Sequence, residues 1–209
     1  MSLKPLGEKI SEGYPYSKFE ASVRNQSSSV IASPGSHPFL VADLPRLKGT
    51  AKPYVVITAT GREAQEMIDF LGEYDEQFEL IEFPSWETLP HERLSPSSET
   101  VGKRLRAISR LIELKNNPAK HAVFVIMSVR AALQPVHSQL AEHPAMEIKS
   151  AHEYSLAELP LKLIELGYER VDMVSQRGEF AIRGGIVDAF PVTSDHPVRL
   201  EFFGDEIEE

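Results

Sequence analysis

The chain has 209 residues, 42% of them hydrophobic and 25% charged, with a formal net charge of −9 and no cysteine. That length suits one large domain or two small ones with real cores, and the lack of cysteine excludes disulfides and thiolate metal sites. Apolar runs such as 122–127 are too short to cross a membrane. The opening MSLKPLGEKISEG has no apolar core of a secretory leader, so a cytoplasmic location without a membrane partner is expected.

Residues 1–29 are polar and close on NQSSS, which reads as a flexible N-terminal lead-in. Ser29–Ala32 reads as a short apolar strand. His37–Leu47 reads as a helix with Ser36 as N-cap and Pro38 at the first helical position. Tyr54–Thr58 (YVVIT) has the β-branched content of a buried strand. Arg62–Leu71 repeats apolar residues Ala64, Met67, Ile68 and Leu71 at helical spacing. A strand is expected over 78–83, a long helix over 99–115 and a fully buried strand over 122–127 (AVFVIM). Strands apolar on both faces and alternating with helices predict an α/β domain over 30–128, with a parallel sheet covered on both sides.

Beyond residue 128 the texture changes. Ser155–Leu166 is an amphipathic helix stopped by Gly167. Short strands follow at 171–174, 179–183, 185–190 and 198–203, separated by Gly, Pro, Asp and Ser. Without helices between them they predict a smaller α+β domain over 129–209 with an antiparallel sheet.

The first strand–helix turn of a parallel α/β domain is where a phosphate-binding loop belongs. Here it offers Gly35 and Ser36, but His37 and Pro38 stand where a P-loop needs Lys and Ser/Thr, and Pro38 removes a backbone donor. A nucleotide cofactor is therefore not expected. The seven histidines show no metal-ligand spacing. No G-x-S-x-G elbow is present, so neither a catalytic set nor a metal site is expected. The cluster of His91 with Glu92 and Glu87 reads as loop surface. In 83–94, FPSWETLPHERL, two prolines stiffen a loop that Trp86 would anchor, as packing or as recognition.

Charge is unevenly spread. Glu63–Glu92 holds carboxylates and no Lys or Arg, which repels nucleic-acid phosphates, whereas Lys103, Arg104, Arg106 and Arg110 share one helix. That helix reads as a solvated face or as a DNA contact. In RGEFAIRGGIVDAFP, strand-like residues flank Gly184 and Gly185 on both sides, which argues for a tight turn rather than a phosphate loop. With period two, Phe180 and Ile182 share one face, and Glu179, Ala181 and Arg183 share the other. Arg183 then points away from the core, either as an ordinary surface arginine or as a fork for a partner's carboxylate.

Four blocks, FPSWETLPHERLSP (83–96), ETVGKRLRAISRL (99–111), GYERVDMVSQRGEFAIRGGIVDAFP (167–191) and PVRLEFFGDEIE (197–208), resemble the N-terminal UvrB-like module of bacterial transcription-repair coupling factors. The resemblance implies a degenerate P-loop, RecA-like first domain and a second domain that docks UvrA in the manner of UvrB. It implies an adaptor in nucleotide-excision repair and no catalysis in this segment. An ATP-dependent translocase motor, and contacts with RNA polymerase and DNA, belong to other domains of the family. The positions it marks for UvrA are Arg170, Arg183 and Phe190, with Phe180 beside them. The relatives' second arginine, two residues before the turn, is Ala181 here. An internal contact with a C-terminal regulatory domain, masking the same face, is compatible with that role.

Overall fold

The structure, a computed structural model, describes residues 3–24, 27–88, 95–136, 146, 148, 154–204 and 206–207. They fall into two compact units, one of residues 1–85 and 110–136 and one of 86–109 and 137–209.

The first unit is built on a three-stranded parallel sheet ordered β1-β3-β2, with β1 Tyr54–Thr58, β2 Glu79–Glu82 and β3 Val123–Ser128. Central β3 is the apolar run of the sequence, with Phe124 and Ile126 fully buried. Helix α5, Gly61–Tyr74, covers one face through Ala64, Leu71 and Tyr74. Its start is set locally. Thr60 accepts a bond from the Glu63 amide at 3.2 Å, and Glu63 reaches back to the Ala59 amide at 3.0 Å. Such reciprocal capping stabilises a helix start by about 1 kcal/mol. Aromatic pairs fill the core, Phe39 edge-on to Phe70 at 4.7 Å and Tyr54 stacked on Phe124 at 5.4 Å.

Four expectations change here. The lead-in expected over 1–29 contains helices α1 Lys4–Ser11 and α2 Tyr14–Val23. Lys4 pairs with Asp75 at 2.9 Å, and Arg46 bonds the hydroxyl of buried Tyr16 at 3.1 Å. The strand expected at 29–32 is absent, because no neighbour buries Val30 or fully exposed Ile31. The helix expected over 37–47 breaks at Asp43 into α3 His37–Ala42 and α4 Leu44–Lys48, and the Ser36 side chain does not cap it. The Ser36 hydroxyl instead donates back to the Ser33 carbonyl at 2.7 Å. The sheet is also not apolar-covered throughout: Val55 and Ile57 on edge strand β1 are 60% and 56% exposed.

Helix α6, Ser98–Asn116, contributes residues up to 109 to the second unit and the remainder to the first. In the first unit its Arg110 grips Glu79 of β2 in a bidentate pair at 2.5 and 2.9 Å, and His121 adds a bond to the same carboxylate at 2.8 Å. These bonds, Arg110 first, hold the Glu79 carboxyl below its usual range despite burial. Short α7, Val129–Leu133, follows β3 and is capped by Ser128 through the Ala131 amide at 3.2 Å.

The second unit carries a five-stranded sheet ordered β4-β5-β6-β7-β8, formed by β4 Glu169–Arg170, β5 Glu179–Arg183, β6 Ile186–Ala189, β7 Val198–Phe203 and β8 Glu206–Ile207. It is mixed rather than antiparallel, because β4 runs parallel to β5. The strand expected at 171–174 lies instead at 169–170. Helix α8, Leu159–Glu165, is shorter than expected and ends before Gly167, whose φ of +86° suits glycine. Leu159 and Leu163 of α8 bury Phe180, Val187 and Ala189 on one sheet face.

The first two thirds of α6 close on the loop after β6. A Cβ on Gly102 would overlap the Val192 carbonyl oxygen. Arg106 bonds the Thr193 carbonyl at 2.9 Å and Asp195 at 3.1 Å.

Two predictions follow from this packing. Gly102→Ala, which at an ordinary helix site stabilises by about 0.4–1 kcal/mol, will instead destabilise by about 1–3 kcal/mol through overpacking; urea denaturation measures the sign. Glu79→Gln will cost about 1–2 kcal/mol at neutral pH. A depressed carboxylate contributes stability above its unfolded pKa, near 4.3, and loses it as pH falls through the folded value. Denaturation midpoints from pH 3 to 7 will therefore drop less steeply below about pH 4.3 in this variant than in the parent.

Candidate functional site

The Gly-rich stretch is a β-hairpin. Register pairs Arg183 with Ile186, leaving Gly184-Gly185 as a two-residue turn. Gly184 takes the left-handed φ of +61°, the first-position glycine of a type II′ turn. Gly185 is required by a neighbour instead. Its carbonyl accepts the Phe202 amide at 2.8 Å, and a Cβ on it would sit 2.8 Å from the Phe202 carbonyl oxygen. A strand, not a helix, follows the glycines, so they cradle no phosphate in the manner of a nucleotide loop.

The pleat sorts the hairpin residues onto two faces. Phe180, Ile182, Val187, Ala189, Leu200 and Phe202 face α8. Phe180 is fully buried there and offers no surface to a partner, which corrects its place among the contact residues. On the outer face the cross-strand rows run Ala181–Asp188–Arg199 and Arg183–Ile186–Glu201, with Phe203 beyond. Arg183 reaches Asp188 at 3.2 Å, and Arg199 clasps the same carboxylate at 2.7 and 3.1 Å. The Asp188 side chain is 14% exposed, while those of Arg183 and Arg199 are 59% and 57% exposed. Bonds from Arg199, and the nearby charges of Arg199 and Arg183, hold the Asp188 carboxyl below its usual range and outweigh its burial. Asp188 in turn raises Arg199.

The other marked residues lie elsewhere on the sheet. Arg170 stands exposed on edge strand β4 in register with Phe180, so it belongs to the α8-side face and is not brought together with Arg183. Phe190 is half-buried after β6, with the Arg177 guanidinium 5.1 Å over its ring. Arg177 also bonds the Ser194 carbonyl at 2.9 Å and Asp195 at 3.2 Å, which pins the loop. Sequence reasoning missed Asp188, Arg199 and Phe203. The alternation of VRLEFF places Arg199, Glu201 and Phe203 on one face, but only pairing with β6 shows that this is Arg183's face.

The basic helix is largely engaged within its own units. Lys103 pairs with Glu99 at 3.4 Å, Arg106 with Asp195, and Arg110 with Glu79 and Glu113. Arg104 is 2% exposed and lies 4.3 Å over the Trp86 ring, and burial lowers its pKa. Trp86 is thus an anchor by packing. Glu87 accepts bonds from the Ser97 and Thr100 hydroxyls that fix the start of α6. His91, Glu92 and Arg93 lie outside the described residues.

At the P-loop position, Pro34–Ser36 forms a single 3-10 turn. His37 approaches the Ala32 carbonyl at 3.1 Å. Gly35 meets open space, and no strand leads into the turn. Among the described residues no three His, Asp or Glu side chains gather to hold a metal ion.

Residues 146–209, which contain the whole hairpin sheet, match the family model described as the UvrB interaction domain. The chain is 44% identical over 181 residues to a transcription-repair-coupling factor of Mycobacterium bovis, covering 86% of this chain and 14% of the relative. It is 37% identical over 159 residues to that of Bacillus subtilis (76% and 13% covered) and 33% over 160 residues to that of Escherichia coli (76% and 13%). The chain thus spans about one seventh of the length of these relatives. With the interaction-domain match over its hairpin sheet and relatives of one description along most of its length, the chain belongs to the transcription-repair-coupling-factor family.

Proposed function

We propose that this segment is a non-catalytic adaptor that recruits the nucleotide-excision-repair protein UvrA by presenting a UvrB-like docking surface. The observation that carries the reading is the coincidence of two facts. Residues 146–209 match the UvrB interaction domain, and within them the outer face of β5–β7 offers Arg183 half-exposed beside a two-glycine turn. A guanidinium fork held by one carboxylate keeps donors for a second, and bidentate capture of a partner's carboxylate is both strong and directional. Arg170 and Phe190 serve as outlying contacts on the β4 edge and beside the 191–196 loop.

In this reading the first unit is a RecA-like sheet whose phosphate loop is degenerate at Gly35, Ser36, His37 and Pro38. Pro38 contributes no amide and His37 replaces the lysine that would neutralise phosphate charge. ATP-driven work, RNA polymerase and DNA contacts then belong to other parts of a longer protein, acting in the cytoplasm. The alternative of a DNA-binding role through α6 is disfavoured by the ion pairs and burial that engage Lys103, Arg104, Arg106 and Arg110.

Calorimetric titration of the 209-residue chain with UvrA tests the proposal, with ATP and duplex DNA as parallel titrants. The expected outcome is saturable UvrA binding, weakened by about 2 kcal/mol or more in Arg183→Ala. The melting temperature should hold, because Arg199 still holds Asp188 and the mostly exposed Arg183 contributes at most about 1 kcal/mol. Unchanged affinity in Arg183→Ala would remove this residue from the contact set, and ATP or DNA binding without UvrA binding would overturn the adaptor role.

A further inference from the structure

We infer that Arg199 and Phe203 form one contact surface with Arg183, and that Asp188 is the positioning residue that sets the two arginines for an acidic face of UvrA. This rests on the docking function proposed above and specifies its surface. Asp188 is nearly withdrawn from solvent, yet two side chains more than half exposed converge on it from strands on either side. Its charge is thus spent inward, while the positive ends face outward. Arg183 commits Nη2 to Asp188, and Arg199 commits Nε and Nη2. Of the five N–H donors on each guanidinium, the rest take no other bond among the described residues. Two forks fixed by one carboxylate, reaching in from β5 and β7, which lie about 10 Å apart on either side of β6, match a pair of carboxylates on a partner.

Phe203 supplies the apolar part. It is 77% exposed on the same face, two residues beyond Glu201 and four beyond Arg199. An exposed aromatic on the same face as two partly desolvated arginines is the composition of an interface hot spot. Of the two aromatics that the resemblance marked, Phe180 is consumed by the core and Phe190 lies under Arg177, so Phe203 is the exposed aromatic of this face. Glu201, exposed beside Arg199, selects against a uniformly anionic partner. A phosphate backbone would meet it with like charge, whereas a protein surface can place a basic or neutral group opposite. The occupant that fits is therefore a protein face carrying paired carboxylates next to an apolar recess.

The test is calorimetric titration of UvrA with the 209-residue chain and its variants Arg199→Ala, Phe203→Ser, Asp188→Asn and Asp188→Glu, with Arg62→Ala on α5 of the first unit as a control. Arg199→Ala and Phe203→Ser are expected to weaken binding at least tenfold, and Arg62→Ala less than twofold. Asp188→Asn is expected to weaken it several-fold without lowering the melting temperature by more than a few degrees. Asp188→Glu should recover most of that loss. Combined with Arg183→Ala and Arg199→Ala, Asp188→Asn should have no further effect, since it acts only through those two side chains. Wild-type binding with Arg199→Ala and Phe203→Ser both within twofold of it overturns this surface and leaves the docking function standing. An Asp188→Asn loss that persists without the arginines overturns the positioning role. Absence of wild-type binding overturns the docking function and this surface with it.

Discussion

The second unit depends on a close approach between backbones. Helix α6 passes so near the loop after β6 that the Val192 carbonyl occupies the space a side chain at position 102 would fill. Glycine in mid-helix costs about 1 kcal/mol relative to alanine, and here that cost secures contact between a helix and the loop that ends the hairpin. Arg106 from the helix and Arg177 from the loop before β5 converge on the same short segment, both reaching Asp195 and each taking a carbonyl at 193 or 194. The loop is therefore held from two sides, and Phe190 is held against Arg177 at the end of β6. The rest of the outer face, toward the Gly184-Gly185 turn, is left to Arg183, Arg199 and Phe203.

The arginines of this chain are divided between internal packing and an exposed sheet face. Arg104 spends its guanidinium on the face of Trp86 in a nearly dry setting, where cation–π attraction is strongest. Arg110 spends its fork on Glu79. Arg183 and Arg199 share a single carboxylate and keep donors facing water. A net charge of −9 gives no hint of this, because the total is set by carboxylates concentrated in 63–92, outside the hairpin sheet. Locally the arrangement differs, and two guanidiniums stand proud of the one acid they share.

Much of the architecture was legible. The runs YVVIT, EFAIR and VRLEFF are strands at the expected residues, and α5 and α6 lie where apolar spacing puts them. These elements are specified by periodicity and by caps within a few residues of each other, so a local reading suffices. The misreadings share a cause. Val30 and Ile31 have strand-like chemistry but no neighbouring strand, so they stay exposed. The polar N-terminus forms helices because Lys4 and Tyr16 find Asp75 and Arg46, partners far along the chain. Strand β4 forms only because β5 is there to pair with it.

By itself the sequence determined the two textures of the chain, the hairpin nature of the glycine pair and the outward direction of Arg183, since each follows from period, turn chemistry or φ preference over a few residues. The tertiary structure decided which distant side chains meet. Phe180 went to the core, Arg170 to a different face from Arg183, the basic helix to internal ion pairs, and Arg199 and Phe203 to the face around the turn. The reason is physical: alternation assigns a residue to one of two faces, but only strand register and the helices packed on the sheet determine which face is buried and what stands beside it.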